Sequence, residues 1–467
     1  MTRYSSLFFG FALAAVSLPG HVEDQTHTQK VTEKRLFQID QASFVAASLV
    51  VSPDQGRVAY VRKEGRNWLV VLNGEEGELY DGIGLANVNF SPDGRRMAYV
   101  AKKDNKAFVV VDGSPGSTQE VILDHSIAFS SDGKRMAYGA KSGGSAWITV
   151  DGKEGPRYDS VGADAPVFSP NGRHLAYAAR AKGRWLIVVD GKEGNPYDEI
   201  ARGTLVFSPN SGRFAFIARS GGKWFAVIDG QEGKHFDAAL AGSLVFSPDS
   251  RRVAYGARLD NQWTVVEDRN NGKTYDGISA NTLTFSPDSR HLAYVAVTGK
   301  EFRVVTDQKE GSKYQGIGKS APRYSPDSRR LAYTAWDGKK SFVVVDGDQG
   351  SGYETIDSRS LTFSPDGRRF AYRAFGDQKW VVVVNAQEGK PYEDVLEGSL
   401  VFDPEGKMLA YGARANNKWM TVVNDREGKS YDLILNGGRR LALDSRGDLH
   451  YVAVEGKYLY LVKQTVQ

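Results

Sequence analysis

Apolar and polar positions along this chain alternate in short bursts, and the bursts return at a fixed interval. In the stretch Gly242 to Ala280, Ser243-Leu244-Val245-Phe246 is an apolar run that ends in the turn residues Ser247-Pro248-Asp249-Ser250. Proline presets φ there and aspartate bonds back to its own backbone. Arg252-Val253-Ala254-Tyr255-Gly256-Ala257 then alternates as a strand, and a loop at Asp260-Asn261 leads to a β-branched run, Trp263-Thr264-Val265-Val266. A turn around Asn271-Gly272 opens a fourth short strand, Lys273 to Ile278. The pattern predicts four antiparallel strands in 39 residues.

The same unit recurs with anchors at Ser52, Ser91, Ser130, Ser169, Ser208, Ser247, Ser286, Ser325, Ser364 and Asp403, each 39 residues from the last. Strand-rich units repeating at this length predict an all-β fold, a β-propeller of four-stranded blades. A worn eleventh copy follows, with strands at Leu441 to Leu443, Asp448 to Val454 and Lys457 to Lys463, and no fourth strand. The segment Arg35–Phe44 is predicted to supply that strand and close the ring, because Phe44 falls where Ile83, Ile122 and Ile200 fall in later units. About eleven blades exceed the usual range of four to eight. The alternative is two smaller propellers of about five and six blades; unbroken register and bulky first strands (Val206-Phe207) favour one ring.

Recurring side chains first receive structural readings. A glycine stands 25 residues after each anchor (Gly77, Gly116, Gly155 and so on), read as a hairpin turn with positive φ. Asp or Asn stands 21 after each (Asp112, Asp151, Asn385), read as a cap on the third strand. Tyr or Phe at eight after (Tyr99, Tyr255) and Trp or Phe in the third strand are read as filling between blades. An acidic residue follows the fourth-strand aromatic (Gln119 in one unit) in nine units, among them Asp81, Asp198 and Asp432, and is read as pairing with a neighbouring strand.

The termini divide the chain further. Residues 1–20 have an Arg3 n-region, an apolar run from Leu7 to Leu18 and small residues at Ser17 and Gly20, the pattern of a signal peptide. Residues 21–34 read as a disordered leader, and 35–467 as the propeller with its last repeat incomplete. The expected address is the periplasm or the cell exterior. No other run is long enough to cross a membrane. With no cysteine, the fold has no disulfides, and 60 basic against 56 acidic residues leave +4, no case for nucleic acid.

No motif carries chemistry strongly. The seven histidines show no metal-ligand spacing, although His174 and His291 share one repeat phase where other units carry Arg96 or Arg252. The acidic turns Asp346-Gly347-Asp348 and Asp151 to Glu154 hold too few ligands for calcium. The reading is therefore no enzyme, no cofactor, no metal and a monomer. Candidate partner-binding residues lie where the second strand ends. Seven units are basic there (Lys63, Lys102, Lys141, Arg180, Arg219, Arg258 and Arg414), a rim suited to an anionic glycan, lipid headgroups or an acidic protein. Three consecutive units break the pattern with Val297, Trp336 and Phe375; Trp336 and Phe375 are candidates for an exposed apolar patch.

The phrase from Phe90 to Tyr99, repeated from Phe363 to Tyr372, resembles the WD40-like repeats of TolB-type β-propellers. The resemblance covers essentially residues 36–467. It implies a binding scaffold, since such propellers serve as protein platforms in the bacterial envelope or as gating domains of serine peptidases. The chain departs from TolB in its many more blades and in lacking a recognisable α/β domain. It departs from the peptidases in having no Gly-x-Ser-x-Gly elbow. The expected function is thus an exported protein-interaction scaffold with protein partners in the envelope, and a lectin-like propeller binding carbohydrate or polyanion is the alternative.

Overall fold

The computed structural model describes residues 29–38, 44–84, 88–162, 164–435, 441–444 and 446–466. These residues form eleven antiparallel sheets and no helix. We number the blades 1 to 11 from the inner strand Phe44–Val51. Blade 7 is representative. Its inner strand is split into Gly277–Ile278 and Thr284–Phe285, and both halves pair with the second strand, Leu292–Thr298. The third strand is Glu301–Thr306, and the outer strand starts at Lys309–Glu310 and resumes at Tyr314, which bridges Phe302. The segment read as one fourth strand, Lys273 to Ile278, therefore belongs to two blades. Asn270–Tyr275 is the outer strand of blade 6, and Gly277–Ile278 has crossed to the inside of blade 7.

A hydroxyl bridges the break in most inner strands. In blade 6, Ser243 donates to the Leu240 carbonyl (2.6 Å), and its oxygen accepts the Gly256 amide (2.9 Å). Thr204, Thr282 and Ser399 repeat the pair of bonds. The side chain replaces a ladder bond that the bulge would otherwise leave unmade.

One ring forms, not two. Every seam between consecutive blades holds its own apolar cluster: Val70 with Tyr99 between blades 1 and 2, Ile187 with Phe216 between 4 and 5, Val382 with Tyr411 between 9 and 10. The series ends where it began, because Val452 and Leu459 of blade 11 pack on Val51 and Val58 of blade 1. An outer-strand aromatic meets the next blade's second-strand aromatic edge-on, as in Tyr80–Tyr99 (6.3 Å) and Tyr275–Tyr294 (6.3 Å). Inter-blade filling is thus the role of these rings. Burial pushes the Tyr255 and Tyr372 hydroxyls up to about 12, so they remain neutral core groups.

An N-terminal strand closes the ring, in a different register from the one expected. Gln29–Gln38 pairs antiparallel with Tyr458–Val466 as the outer strand of blade 11. Phe44 instead begins the inner strand of blade 1, opposite Arg62. The strand also takes in residues 29–34, the last six of the segment read as a disordered leader. That segment is polar because both sides of an outer strand here meet solvent: Thr32, Glu33, Lys34 and Arg35 are all exposed. Residues 1–28, including the expected signal peptide, lie outside the described residues.

The repeated glycine also has another cause. Gly77, Gly155 and Gly311 are absent from the positive-φ positions; a Cβ there would come within 2.8 to 3.1 Å of a third-strand carbonyl. Positive φ falls instead on the Asp or Asn four residues earlier, such as Asp112 (50°) and Asp151 (49°). Its carboxylate accepts the first amide of the second strand, as Asp112 does from Met97 at 2.8 Å. The expected cap is there, at the neighbouring strand's end.

Candidate interaction face

The ladder puts the Ser-Pro-Asp turns and the third-to-outer hairpins at one end of every blade. The second-to-third hairpins and the blade crossings share the other end. We call these the turn face and the crossing face. All the candidate partner-binding residues lie on the crossing face, at the last pairs of the second strand.

There the basic residues are largely engaged. Lys63 lies opposite Trp68, Arg219 opposite Trp224, Arg258 opposite Trp263 and Arg414 opposite Trp419. Each cation sits over its ring at 5.3 to 5.7 Å. Arg219 also pairs with Glu199 at 2.7 Å and Arg414 with Glu393 at 3.7 Å. Lys102 and Lys141, opposite Ala107 and Ala146, are exposed. The rim is real in position, but much of its charge lies against rings and carboxylates.

Nearly all of the recurring acidic residues serve the hairpins of this face. Asp81, Asp237 and Asp276 accept the hairpin amides of Asp104 (2.8 Å), Asp260 (3.1 Å) and Gly299 (2.7 Å). A hydrogen bond from Lys223, then the Asp260 amide, holds the Asp237 carboxyl below its ordinary range. Side-chain pairing across strands exists as well, in Lys223–Asp237 (2.6 Å) and Lys418–Asp432 (2.5 Å).

Blades 8 and 9 depart from this scheme. Gln315 replaces the acid, and Asp337 caps its own hairpin through the Lys339 and Lys340 amides. Trp336 stands opposite Gly316 and Ser341, too small to cover it, and is 43% exposed. Phe375, one blade on, lies against Trp380 at 5.3 Å and is half-buried. No ring pairing joins Trp336 to Phe375 among the described residues. Val297 is half-buried opposite Phe302 and Gly277.

Beneath Phe375 lies a group that the repeat analysis overlooked. Arg373 is only 8% exposed, stacks on Trp380 (4.5 Å), bonds Asp357 (2.9 Å) and donates to the Val395 carbonyl of blade 10. Glu397 and Asp394 stand at 3.7 and 3.9 Å. The signal was present: equivalent positions hold Val61, Val100, Gly139, Ile217 or Gly412, and an arginine among them breaks the pattern. Buried and partnered on three sides, it braces the two blades under the aromatic pair.

A cavity of about 470 Å³ opens on the same face between blades 4 and 5, lined by Asp164, Arg180, Trp185, Asp198, Glu199 and Arg202. Arg180 donates to the Gly183 carbonyl at 3.1 Å, and the Trp185 ring borders the cavity. Among the described residues no three His, Asp, Glu or Cys side chains converge as metal ligands. Among the described residues there is no helix long and apolar enough to cross a membrane.

No protein-family model matches this chain, and no curated protein does. Solved structures similar to it include a eukaryotic initiation factor, 10% identical with a TM-score of 0.39, covering 72% of this chain and 96% of that one. TolB from Acinetobacter baumannii is 14% identical with a TM-score of 0.26, covering 66% and 79%. The Dos1 propeller is 14% identical with a TM-score of 0.31, covering 68% and 94%. The likeness is one of fold, and the fold itself rests on the eleven sheets and their closed seams.

Proposed function

We propose that this protein is an exported, non-enzymatic β-propeller of the TolB type that works as a monomeric protein-interaction scaffold in the bacterial envelope or outside the cell. The observation that carries the reading is Trp336. It is a large ring exposed at a position that is basic in seven other blades, and the next blade carries Phe375 at the same position, over the Trp380 ring on which Arg373 stacks. Exposed aromatics on a rigid support are the usual anchors of protein interfaces. The compensated charge of Arg219 and Arg414 favours this arc over the basic rim as the docking surface.

The test is capture of envelope proteins on immobilised residues 21–467, compared with a Trp336→Ala, Phe375→Ala double variant. One protein retained through moderate salt by the parent and lost by the folded variant supports the scaffold. Equal capture by both overturns the aromatic arc. A second reading has the Trp185 cavity in its favour, because an aromatic face ringed by carboxylates and arginines suits a sugar ring. Glycan eluting from the parent but not from Trp185→Ala would select that reading.

A further inference from the structure

On the turn face, one arginine ties most blades to the next. Arg57, Arg96, Arg135, Arg213, Arg252 and Arg369 occupy the same repeat position. The guanidinium crosses the seam and donates to turn carbonyls of the next blade. Arg96 reaches Gly133 (3.5 Å) and Lys134 (3.0 Å), and Arg135 reaches Gly172 (3.3 Å) and Arg173 (2.8 Å). Arg213 reaches Ser250 (3.2 Å) and Arg251 (2.8 Å). In all six the cation lies over the next blade's phenylalanine at 4.9 to 5.7 Å. Arg96, Arg135 and Arg213 also bond the aspartate of their own hairpin.

Blades 4 and 7 carry His174 and His291 instead. Each imidazole keeps the aspartate (Asp190, 2.7 Å; Asp307, 2.6 Å) and lies roughly parallel to the next blade's ring (Phe207, 6.4 Å; Tyr324, 6.5 Å). It is too short to cross the seam. Among the described residues no side chain bonds the carbonyls of Ser211 and Gly212, or of Ser328 and Arg329, the counterparts of Gly133 and Lys134. Cavities of about 460 and 390 Å³ open at these two seams, and these residues line them. The nearby cations Arg213 and Arg330 are already held by Asp229 (2.8 Å) and Asp346 (3.1 Å), while Lys192 and Lys309 stand at the rims beside Glu193 and Glu310.

We propose that the two cavities bind a guanidinium group supplied from outside the chain, either a partner's arginine side chain or a small guanidinium compound. The adjacent turn carbonyls and the aromatic ring that receive a guanidinium in six other seams are present at both, while the imidazole keeps the aspartate and leaves the carbonyls without a side-chain donor. A guanidinium suits it because the group is planar, weakly hydrated and forked, so it stacks on an aromatic face while donating to two adjacent carbonyls. A lysine ammonium is a strongly hydrated point charge and fits poorly. The sites are on the opposite face from Trp336, so they stand or fall independently of the docking arc.

Isothermal titration of the full chain with methylguanidinium and with N-acetyl-arginine methylamide tests this, with N-acetyl-lysine methylamide as control. Saturable binding at two sites per chain is expected at ligand concentrations up to about 10 mM, enough to fill a site of ~1 mM Kd. His174→Arg should halve the stoichiometry. His174→Arg with His291→Arg should weaken binding at least about tenfold, a difference of about 1.4 kcal/mol, and raise the melting temperature by restoring the tie. Tighter binding of the blocked arginine identifies a protein side chain as the source; equal binding identifies a small compound. Absence of saturable binding, equal binding of the lysine amide, or undiminished binding in the double variant overturns the proposal. Should the arginine variants not fold, Phe207→Leu with Tyr324→Leu must weaken binding instead, and unchanged affinity there overturns it equally.

Discussion

The seam between blades 6 and 7 and the seams around blade 11 use the same contacts, made by very different lengths of chain. At the first, the Tyr275 hydroxyl donates to Glu310, 35 residues on, at 3.3 Å. At the second, the Tyr431 hydroxyl donates to Glu33, 398 residues away, at 2.6 Å, and Lys429 joins it at 2.8 Å. Glu33 therefore stands where the repeat's own outer-strand glutamate would. Closing the longer loop costs about 2 kcal/mol more by (3/2)RT ln n. The ladder offsets that cost: Gln29–Gln38 makes nine pairs with Tyr458–Val466, whereas Lys309–Glu310 makes two. The outer ladder is longest where the chain connects the ring least.

Removing residues 29–38 should break the comparison outright. It takes Val31, Leu36 and Phe37 from the core and exposes an open edge on blade 11. A loss of ~5 kcal/mol or more follows from the apolar contacts alone, and the melting temperature should fall by more than about 10 °C. An unchanged thermal melt would mean that the strand does not hold the ring.

Two ring truncations sharpen the contrast. Tyr294→Ala empties a fully buried position between blades 6 and 7 and should cost about 3–5 kcal/mol in denaturant unfolding. Phe37→Ala removes a half-buried ring packed on Tyr60 at 4.9 Å and should cost about 2 kcal/mol. A larger cost at Phe37 would show that closure, not burial, sets the stability of the ring.

Glu33→Gln isolates the charge. Burial opposes ionisation of this carboxyl, but the hydrogen bonds from Lys429 and Tyr431 outweigh it and hold it below its ordinary value. A lowered folded pKa contributes stability above the unfolded value and loses it as pH falls through the folded one. At neutral pH the variant should lose about 1–2 kcal/mol. Melts of both proteins in acid should converge below the carboxylate range, and a constant gap would contradict the linkage.

The smallest effect belongs to an interior turn. A hydrogen bond from Ser247, then the Arg251 amide, lowers the Asp249 carboxyl. Asp249→Asn should lower the melt only slightly at neutral pH, because Asn171 and Asn210 already fill this position in two blades and accept the same Ser bond. The difference should vanish in acid by the same sign argument. A large loss would mean that these turns, rather than the seams, carry the ring.

Much of this architecture was legible in the chain because each blade is local. Turn residues, alternation and the 39-residue spacing all act within one unit, and the strands fell close to where they were expected. The repeat phase of Phe44 points to Arg35–Phe44 for closure, whereas the closing strand, Gln29–Gln38, is polar and shows no alternation. The repeated glycine was assigned a positive φ, whereas its need comes from a carbonyl of another strand. At the candidate face, the positions of Trp336 and Phe375 were readable but their covering was not. Gly316 and Ser341 leave the first bare, and Trp380 half-covers the second.

The unit, its strands, its turns and their number follow from the chain alone, since backbone alternation and turn chemistry are settled within a few residues. The size of the ring does not. It depends on the angle between neighbouring blades, set by how side chains such as Tyr80 and Tyr99 fill each seam and summed over eleven seams. The same holds for the seams at His174 and His291. A histidine in an arginine's place is visible in one dimension, but the turn carbonyls it does not reach belong to the next blade. Only packing across the seam brings the two together.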